Sequence, residues 1–139
     1  MTRTQFGAIA FRPSDDGGLE VLLITSRDTG RWVIPRGNPI AGLDPHETVA
    51  CELHEEAGVR GEPASGPLGS YTYQKRLRGG ATVPAVVHVY SCHVTEELAD
   101  WPERHQRERR WFDPAQAAVS VAEPELRRLI LSFAAAALG

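Results

Sequence analysis

The chain has 139 residues, of which 42% are hydrophobic and 24% are charged, and its formal net charge is −3. This length and balance are typical of one globular domain with a buried core, and they exclude a disordered or fibrous polymer. The small negative charge gives no general attraction to nucleic acid or anionic membranes, so an anionic ligand must be bound by local arginines or by metal. We therefore expect a single domain over residues 1–139, with no nucleic-acid partner and no membrane association.

The two cysteines, Cys51 and Cys92, match no zinc-ligand or redox spacing. We expect free thiols, which suit a reducing compartment better than secretion. No stretch approaches the roughly 18 apolar residues that a membrane-spanning helix needs, and residues 1–11 do not resemble a targeting segment. The expected location is therefore cytoplasmic.

In chain order, the first elements are three short strands followed by a loop. Apolar runs at residues 6–11 and 19–24 flank a segment rich in turn residues, which predicts two adjacent strands. Residues 32–34 form a third apolar run that stops at Pro35. The next nine residues, 36–44, contain two glycines and a further proline, which predicts a loop.

A helix is predicted from Pro45 to the glycine at position 58. Asp44 can cap it, Pro45 suits the first helical position, and Glu47 lies three residues after the cap, as in a capping box. Gly58 is a typical helix stop. At about 100° per residue, one face of this helix is apolar and the neighbouring face is acidic. The acidic residues are Glu52, Glu55 and Glu56.

The second half of the chain predicts more strands and two further helical segments. Residues 71–77 and 83–94 are typical of two long strands joined near residues 78–80, and residues 110–112 of a shorter strand. Asp113 opens a second capping pattern, and residues 125–138 have apolar positions at helical spacing. Strands mixed with about three helices predict an α+β fold, an α/β/α sandwich with a mixed, mostly hairpin-built sheet.

The three glutamates of the helix predict a metal site. Carboxylates at positions i, i+3 and i+4 converge on one patch, and their mutual repulsion is relieved by a bound cation. Carboxylate oxygens are the ligands that Mg²⁺ and Mn²⁺ prefer. The alternative is an ordinary acidic helix face exposed to solvent, because glutamate is a good helix former.

The stretch of residues 37–59 resembles the Nudix box, a motif with glycine, spaced glutamates and a terminal glycine–hydrophobic pair. The residues that match are Gly37, Glu52, Leu53, Glu55, Glu56, Gly58 and Val59. The resemblance implies a Nudix-type α/β/α sandwich that hydrolyses phosphoanhydride bonds with Mg²⁺ or Mn²⁺. It also implies that Glu52, Glu56 and the backbone carbonyl of Arg36 bind metal, and that Glu55 or Glu56 helps to activate the attacking water.

Two positions depart from this motif. Leu43 stands where the motif has its first glutamate, and Cys51 stands where it has arginine. An arginine at position 51 would lie one turn before Glu55, and a thiol cannot replace a bidentate guanidinium. These departures leave open a second hypothesis, a Nudix-fold ligand-binding or regulatory module with weakened catalysis.

Outside the motif, residues 31–35 and 107–112 are similar to the branch of this family that acts on diphosphoinositol polyphosphates and dinucleoside polyphosphates. The resemblance implies a small polyphosphate substrate. Its expected binding residues are Ser26, Arg27, Gly37, Lys75, Arg76 and Arg107. Each basic residue is equally typical of an ordinary surface position. Glu96 and Glu97 are further candidate bases, and the oligomeric state stays open.

Overall fold

The computed structural model describes residues 1–138, and residue 139 lies outside the described part. The strands are β1 (Arg3–Pro13), β2 (Leu19–Thr25), β3 (Trp32–Val33), β4 (Arg36–Gly37), β5 (Val59–Pro63), β6 (Gly69–Arg76), β7 (Thr82–Glu97) and β8 (Arg109–Phe112). The helices are α1 (Pro45–Glu52), α2 (Pro114–Ser120) and α3 (Pro124–Leu138), and a π-helical turn, Leu53–Ala57, continues α1.

All eight strands belong to one mixed sheet whose central path is β3-β2-β1-β7-β5. The pair β1–β7 is parallel, from Arg3 beside Ala85 to Phe11 beside His93, and the remaining pairs are antiparallel. The predicted hairpins are present as β1–β2 and β6–β7. The expected mixed sheet, built mostly from antiparallel pairs, is therefore confirmed.

Apolar side chains cover both faces of the sheet, because the strands at its centre are buried on both sides. On one face, Ile9, Leu23 and Val87 pack with residues of α2 and α3 such as Leu126 and Ile130. On the other face, residues of β1, β2 and β7 pack against α1 and the π turn. The helices thus form two outer layers, which confirms the predicted α/β/α sandwich.

Two strands were not predicted. β4 occupies Arg36–Gly37, at the start of the predicted loop, and its two residues pair with β1. β5 contains a glycine and a proline, which are disfavoured in strands, but it lies at the edge of the sheet, where both are tolerated. Gly61 stands at the bulge in β5, and a Cβ atom there would collide with the carbonyl of His93.

The predicted helix start and stop are confirmed. Glu47 Oε1 accepts a hydrogen bond from the Asp44 amide at 2.8 Å, and Gly58 ends the π turn with a left-handed φ of 65°. The regular α-helix ends earlier than predicted, at Glu52, because the last five residues form the wider π turn. The spacing of 100° per residue therefore does not hold at Glu55 and Glu56. Of the three glutamates, only Glu56 is buried.

None of the described helices is long and apolar enough to span a bilayer. Cys51 is an exposed free thiol on α1, and Cys92 is a buried free thiol on β7.

Candidate active site

One open pocket of about 490 Å³ is lined by most of the site residues that the sequence predicted. Its walls come from α1 and the π turn, from β4, from the loop after β2, from β6 and from the segment before β8. Ten of the predicted site residues line it: Ser26, Arg27, Arg36, Gly37, Glu52, Glu55, Glu56, Lys75, Arg76 and Arg107. Carboxylates therefore face basic side chains across one cavity.

Glu56 is the most deeply buried carboxylate of the site, with 8% of its surface exposed. Its Oε1 accepts a hydrogen bond from the backbone amide of Arg36 at 3.0 Å, and its Oε2 lies 3.2 Å from Arg107 Nη2. Burial raises its pKa to about 8, although Arg107 and the Arg36 amide act in the opposite direction. Both oxygens are thus held by the protein while the carboxylate remains costly to ionise.

Arg107 has protein partners on three of its nitrogens. Besides Glu56, its Nε donates to Glu103 at 2.7 Å, and its Nη1 donates to the carbonyl of Thr25 at 3.1 Å. Only 9% of its side-chain surface is exposed. Arg107 lines the pocket, as expected for a phosphate ligand, but its contacts in this structure are those of a side chain that orients Glu56.

Glu52 lies against the backbone of β4. A Cβ atom at position 37 would collide with the Glu52 carboxylate, so only glycine permits this approach. Gly37 directly follows Arg36, whose carbonyl is the third predicted metal ligand. Burial, and then the charges of Glu55 and Glu103, raise the pKa of Glu52 to about 7.

The donors at this site fit a hard divalent cation. Burial raises the pKa values of Glu52 and Glu56, and nearby negative charges raise them further, those of Glu55 and Glu103 at Glu52 and those of Glu52 and Glu103 at Glu56. A bound cation would relieve that cost. Over residues 1–138 no three His, Cys, Asp or Glu side chains come together as a metal-binding group. The predicted set instead has two carboxylates and one carbonyl, and Mg²⁺ typically takes one or two carboxylates and completes its shell with water and phosphate.

Glu55 differs from its two neighbours. Its side chain is exposed at the pocket wall, and within residues 1–138 it makes no side-chain hydrogen bond or ion pair. Cys51, one turn earlier, is exposed and does not line the pocket. The structure places a guanidinium from another segment, that of Arg107, against one glutamate of the motif. That glutamate is Glu56 rather than Glu55.

The basic wall of the pocket is partly ordered by its own hydrogen bonds. Ser26 Oγ accepts from the amides of Asp28 and Thr29, which fixes the loop after β2, and Arg27 Nη1 donates to Gln106 at 3.0 Å. Lys75 and Arg76, at the end of β6, line the pocket with no ion pair among the described residues. Two cations thus face the cavity without a carboxylate partner.

Several pocket residues were not predicted. Glu103 precedes Arg107 by four residues, and its backbone amide also donates to the Glu55 carbonyl at 3.0 Å. The spacing of four, typical of an ion pair, was the available signal. Gln5 is buried, donates to Asn38 at 3.2 Å and accepts from the Tyr73 hydroxyl at 2.7 Å. These contacts join distant segments, and no local pattern indicates them.

Two other candidate bases lie elsewhere. Glu96 pairs with Arg60, Glu97 pairs with Arg12 and accepts from the Trp111 indole, and neither lines the pocket. Both residues lie at the end of β7, where it pairs with β5, and this position explains why they do not line the pocket.

The end of the π turn is tied to the segment that carries Glu103. Arg109 donates to the carbonyls of Ala57 and Gly58 at 2.9 and 3.0 Å and to that of Leu98 at 2.8 Å. Its guanidinium lies 4.0 Å from the ring centre of Trp101, and a Cβ atom at Gly58 would collide with that ring. These contacts satisfy the last carbonyls of the turn, so Glu55 and Glu56 are held on a closed scaffold.

The chain is similar in sequence and in fold to known proteins of one family. The family model of the NUDIX domain matches residues 1–133. The chain is 38% identical over 110 residues to Nudix hydrolase 12, mitochondrial, of Arabidopsis thaliana, covering 71% of this chain and 50% of that protein. It is 35% identical over 96 residues to diphosphoinositol polyphosphate phosphohydrolase 2 of Rattus norvegicus, covering 67% of this chain and 49% of that protein.

Among solved structures, a binary complex of C. elegans Ap4A hydrolase matches with a TM-score of 0.71 and 20% sequence identity, covering 96% of each chain. This likeness establishes the fold. The chain spans about half the length of the curated relatives it matches. From the match over residues 1–133 and the fold it forms, the chain belongs to the Nudix family.

Proposed function

We propose that this chain hydrolyses a phosphoanhydride bond in a diphosphate linked to another moiety, using Mg²⁺ or Mn²⁺. The observation that carries the proposal is the pocket in which Glu52 and Glu56, both with raised pKa values, face Lys75 and Arg76. The unpaired basic side chains are suited to phosphate, and the clustered carboxylates are suited to a divalent metal ion, so the site is suited to a metal–phosphate ligand. Candidate substrates are diphosphoinositol polyphosphates and dinucleoside polyphosphates, in line with the names of relatives.

In this proposal, Glu52, Glu56 and the carbonyl of Arg36 hold the metal. When bound, the cation lowers the pKa of water and neutralises charge on phosphate oxygens. Arg107 and the Arg36 amide keep Glu56 in one orientation, because they contact its two oxygens separately. Such support fixes the geometry of the site before substrate arrives.

Glu55 is proposed as the base, since its exposed carboxylate lines the pocket and makes no side-chain hydrogen bond or ion pair among the described residues. Water attacks phosphorus in line with the bridging oxygen; the water proton passes to Glu55, the new P–O bond forms, and the phosphoanhydride P–O bond breaks. Ser26, Arg27, Lys75 and Arg76 bind and orient the phosphate groups.

The free thiols of Cys51 and Cys92 support a reducing compartment, and we propose the cytoplasm. Several relatives carry mitochondrial or chloroplastic in their names, so the compartment is open to direct localisation of the tagged protein.

The function is tested by phosphate or nucleotide release from a panel of substrates, with and without Mg²⁺ or Mn²⁺. The panel contains a diphosphoinositol polyphosphate, a dinucleoside polyphosphate, ADP-ribose and a nucleoside triphosphate. We expect metal-dependent turnover of at least one, a loss of at least a hundredfold in Glu52→Gln and Glu56→Gln, and little change in the control Glu62→Gln, an exposed carboxylate on β5. Turnover that persists in both site variants contradicts the proposal.

The second candidate, a binding or regulatory module with weakened catalysis, is favoured by Leu43 and Cys51. Tight binding of a panel ligand without any turnover would support it. The variant Cys51→Arg tests what the missing arginine does: we expect an unchanged rate, because Arg107 already contacts Glu56, whereas a large gain would show that the missing arginine limits the enzyme.

A further inference from the structure

Gln5 is a buried polar residue at a position of β1 that faces the core. Only 3% of its surface is exposed. Side chains alternate along a strand, so Gln5, Gly7 and Ile9 share one face, and Ile9 packs in the cluster beneath α2 and α3. A buried amide costs free energy unless it is hydrogen-bonded, whereas an apolar side chain would fill the same space without that requirement. What distinguishes glutamine at this position is therefore its amide group.

The amide of Gln5 joins two segments that are distant in the chain. Its Nε2 donates to Asn38 Oδ1 at 3.2 Å, and its Oε1 accepts from the Tyr73 hydroxyl at 2.7 Å. Asn38 begins the loop between β4 and α1, and Tyr73 lies on β6. In the sheet of the described residues, β4 pairs with β1 and β6 pairs with β7. The Gln5 side chain thus connects a loop and a strand that do not pair with each other.

Both segments are walls of the site pocket, which Gln5 itself also lines. The loop contributes Asn38, Pro39 and Ile40, and β6 contributes Tyr73, Lys75 and Arg76. The guanidinium of Arg36 lies 3.9 Å from the ring centre of Tyr73, and the backbone amide of Arg36 donates to Glu56. The placement of the β6 cations relative to the glutamates therefore depends on the link through Gln5.

The two hydrogen bonds of Gln5 contribute little to the stability of the fold. Asn38 is exposed and Tyr73 is half-buried, so both side chains can bond to water when the Gln5 amide is removed. An unbranched apolar side chain of similar length would fill the space and leave no buried donor or acceptor without a partner. The link consequently orders the pocket walls more than it stabilises the folded chain.

We propose that Gln5 is a positioning residue, which holds the loop after β4 at a fixed distance from β6 so that phosphate bound at Lys75 and Arg76 reaches the glutamates. This inference rests on the proposed function and adds a residue that acts through Asn38 and Tyr73 rather than by touching the reacting atoms. The glutamates keep their own supports, because the hydrogen bonds of Gln5 go to neither Glu52 nor Glu56.

The first experiment uses no ligand. Backbone ¹⁵N order parameters are measured for the loop residues 38–43 in wild type, in Gln5→Met and in the control Gln116→Met, an exposed glutamine on α2 outside the pocket. We expect lower order parameters in Gln5→Met alone, with urea midpoints close to wild type in both variants. Unchanged order parameters in Gln5→Met would overturn the proposal, whether or not the chain proves to be a hydrolase.

The second experiment measures binding of imidodiphosphate to the full chain by calorimetry in Mg²⁺ buffer. Its P–N–P bridge resists hydrolysis, so the result does not depend on turnover. Gln5→Met should bind this probe about tenfold more weakly, and in turnover assays KM should rise by a similar factor while kcat changes by less than about twofold. Equal binding by wild type and Gln5→Met contradicts the positioning role. Failure of the proposed function is recognised separately, by the absence of turnover across the substrate panel.

A pair of variants tests whether Gln5 acts through its partners. Tyr73→Phe removes the hydroxyl and keeps the ring against Arg36. Because both changes break the same link, the double variant of Gln5→Met and Tyr73→Phe should bind the probe no more weakly than Gln5→Met alone. Losses that add would show independent roles and overturn the proposal. Should Gln5→Met fail to fold, Asn38→Ala replaces it in both experiments and in this cycle, because it removes the acceptor at the exposed end of the link.

Discussion

Replacing Glu56 with glutamine should change how the stability of the metal-free protein depends on pH. Burial raises the pKa of Glu56 from 4.5 to about 8 in the folded protein. Between these values the folded chain holds a proton that the unfolded chain has released. The stabilisation is therefore complete below about pH 4.5 and is lost as the pH rises through 8.

The expected size follows from about 1.4 kcal/mol for each pH unit. Over the interval from 4.5 to about 8, the free energy of unfolding should fall by roughly 4 to 5 kcal/mol through Glu56. Glu52, with its pKa raised to about 7, acts in the same direction, so the two carboxyls release their protons in overlapping steps. Glutamine cannot ionise, and the variant should lose the Glu56 part of this slope.

The assay is urea unfolding of wild type and Glu56→Gln in EDTA at half-unit intervals from pH 5 to 9. The slope is the test, because the amide also alters the hydrogen bond to Arg107 and shifts absolute stability at every pH. Glu62→Gln, an exposed carboxylate, should keep the wild-type slope. A Glu56→Gln curve parallel to that of wild type would refute the reasoning.

Three further results are expected. Arg107→Met should lower the free energy of unfolding, measured by urea unfolding, by about 3 kcal/mol at pH 9 and by clearly less at pH 5, where Glu56 is protonated. Arg107→Lys should recover part of this stability, and an equal loss at both pH values would contradict the pairing of Arg107 with Glu56. Gly37→Ala should reduce kcat at least tenfold while the melting temperature falls by only a few degrees, because the added Cβ displaces the Glu52 carboxylate; unchanged kcat would show that this carboxylate need not lie there. Mg²⁺ or Mn²⁺ should raise the melting temperature of wild type at pH 8, and a rise of the same size in the Glu52→Gln, Glu56→Gln double variant would place the metal elsewhere.

Local signals in the sequence were sufficient to predict where the helix that carries the site begins and ends. Asp44, Pro45 and Glu47 define its start, and Gly58 adopts the left-handed conformation that ends it. These features depend on neighbours within a few residues, and sequence patterns report such neighbours directly. Apolar runs at residues 6–11 and 19–24 likewise predicted the strands β1 and β2.

The arrangement of the carboxylates could not be predicted in the same way. The π turn rotates Glu56 into the protein and leaves Glu55 exposed, which departs from the regular helical spacing that sequence analysis assumes. The contact of Glu56 with Arg107 joins residues 51 positions apart. Only the folded sheet brings them together, through the pairing of β8 with β2.

The parallel pair β1–β7 has a consequence for how the chain folds. It joins residues about 80 positions apart, and β4, α1 and the π turn all lie in the segment between them. Closing so long a loop costs entropy before any contact compensates, so folding should be slow and strongly cooperative for a protein of this size. During synthesis, the pocket can form only after β7 and the Arg107 segment have left the ribosome, and shorter nascent chains should bind neither metal nor phosphate.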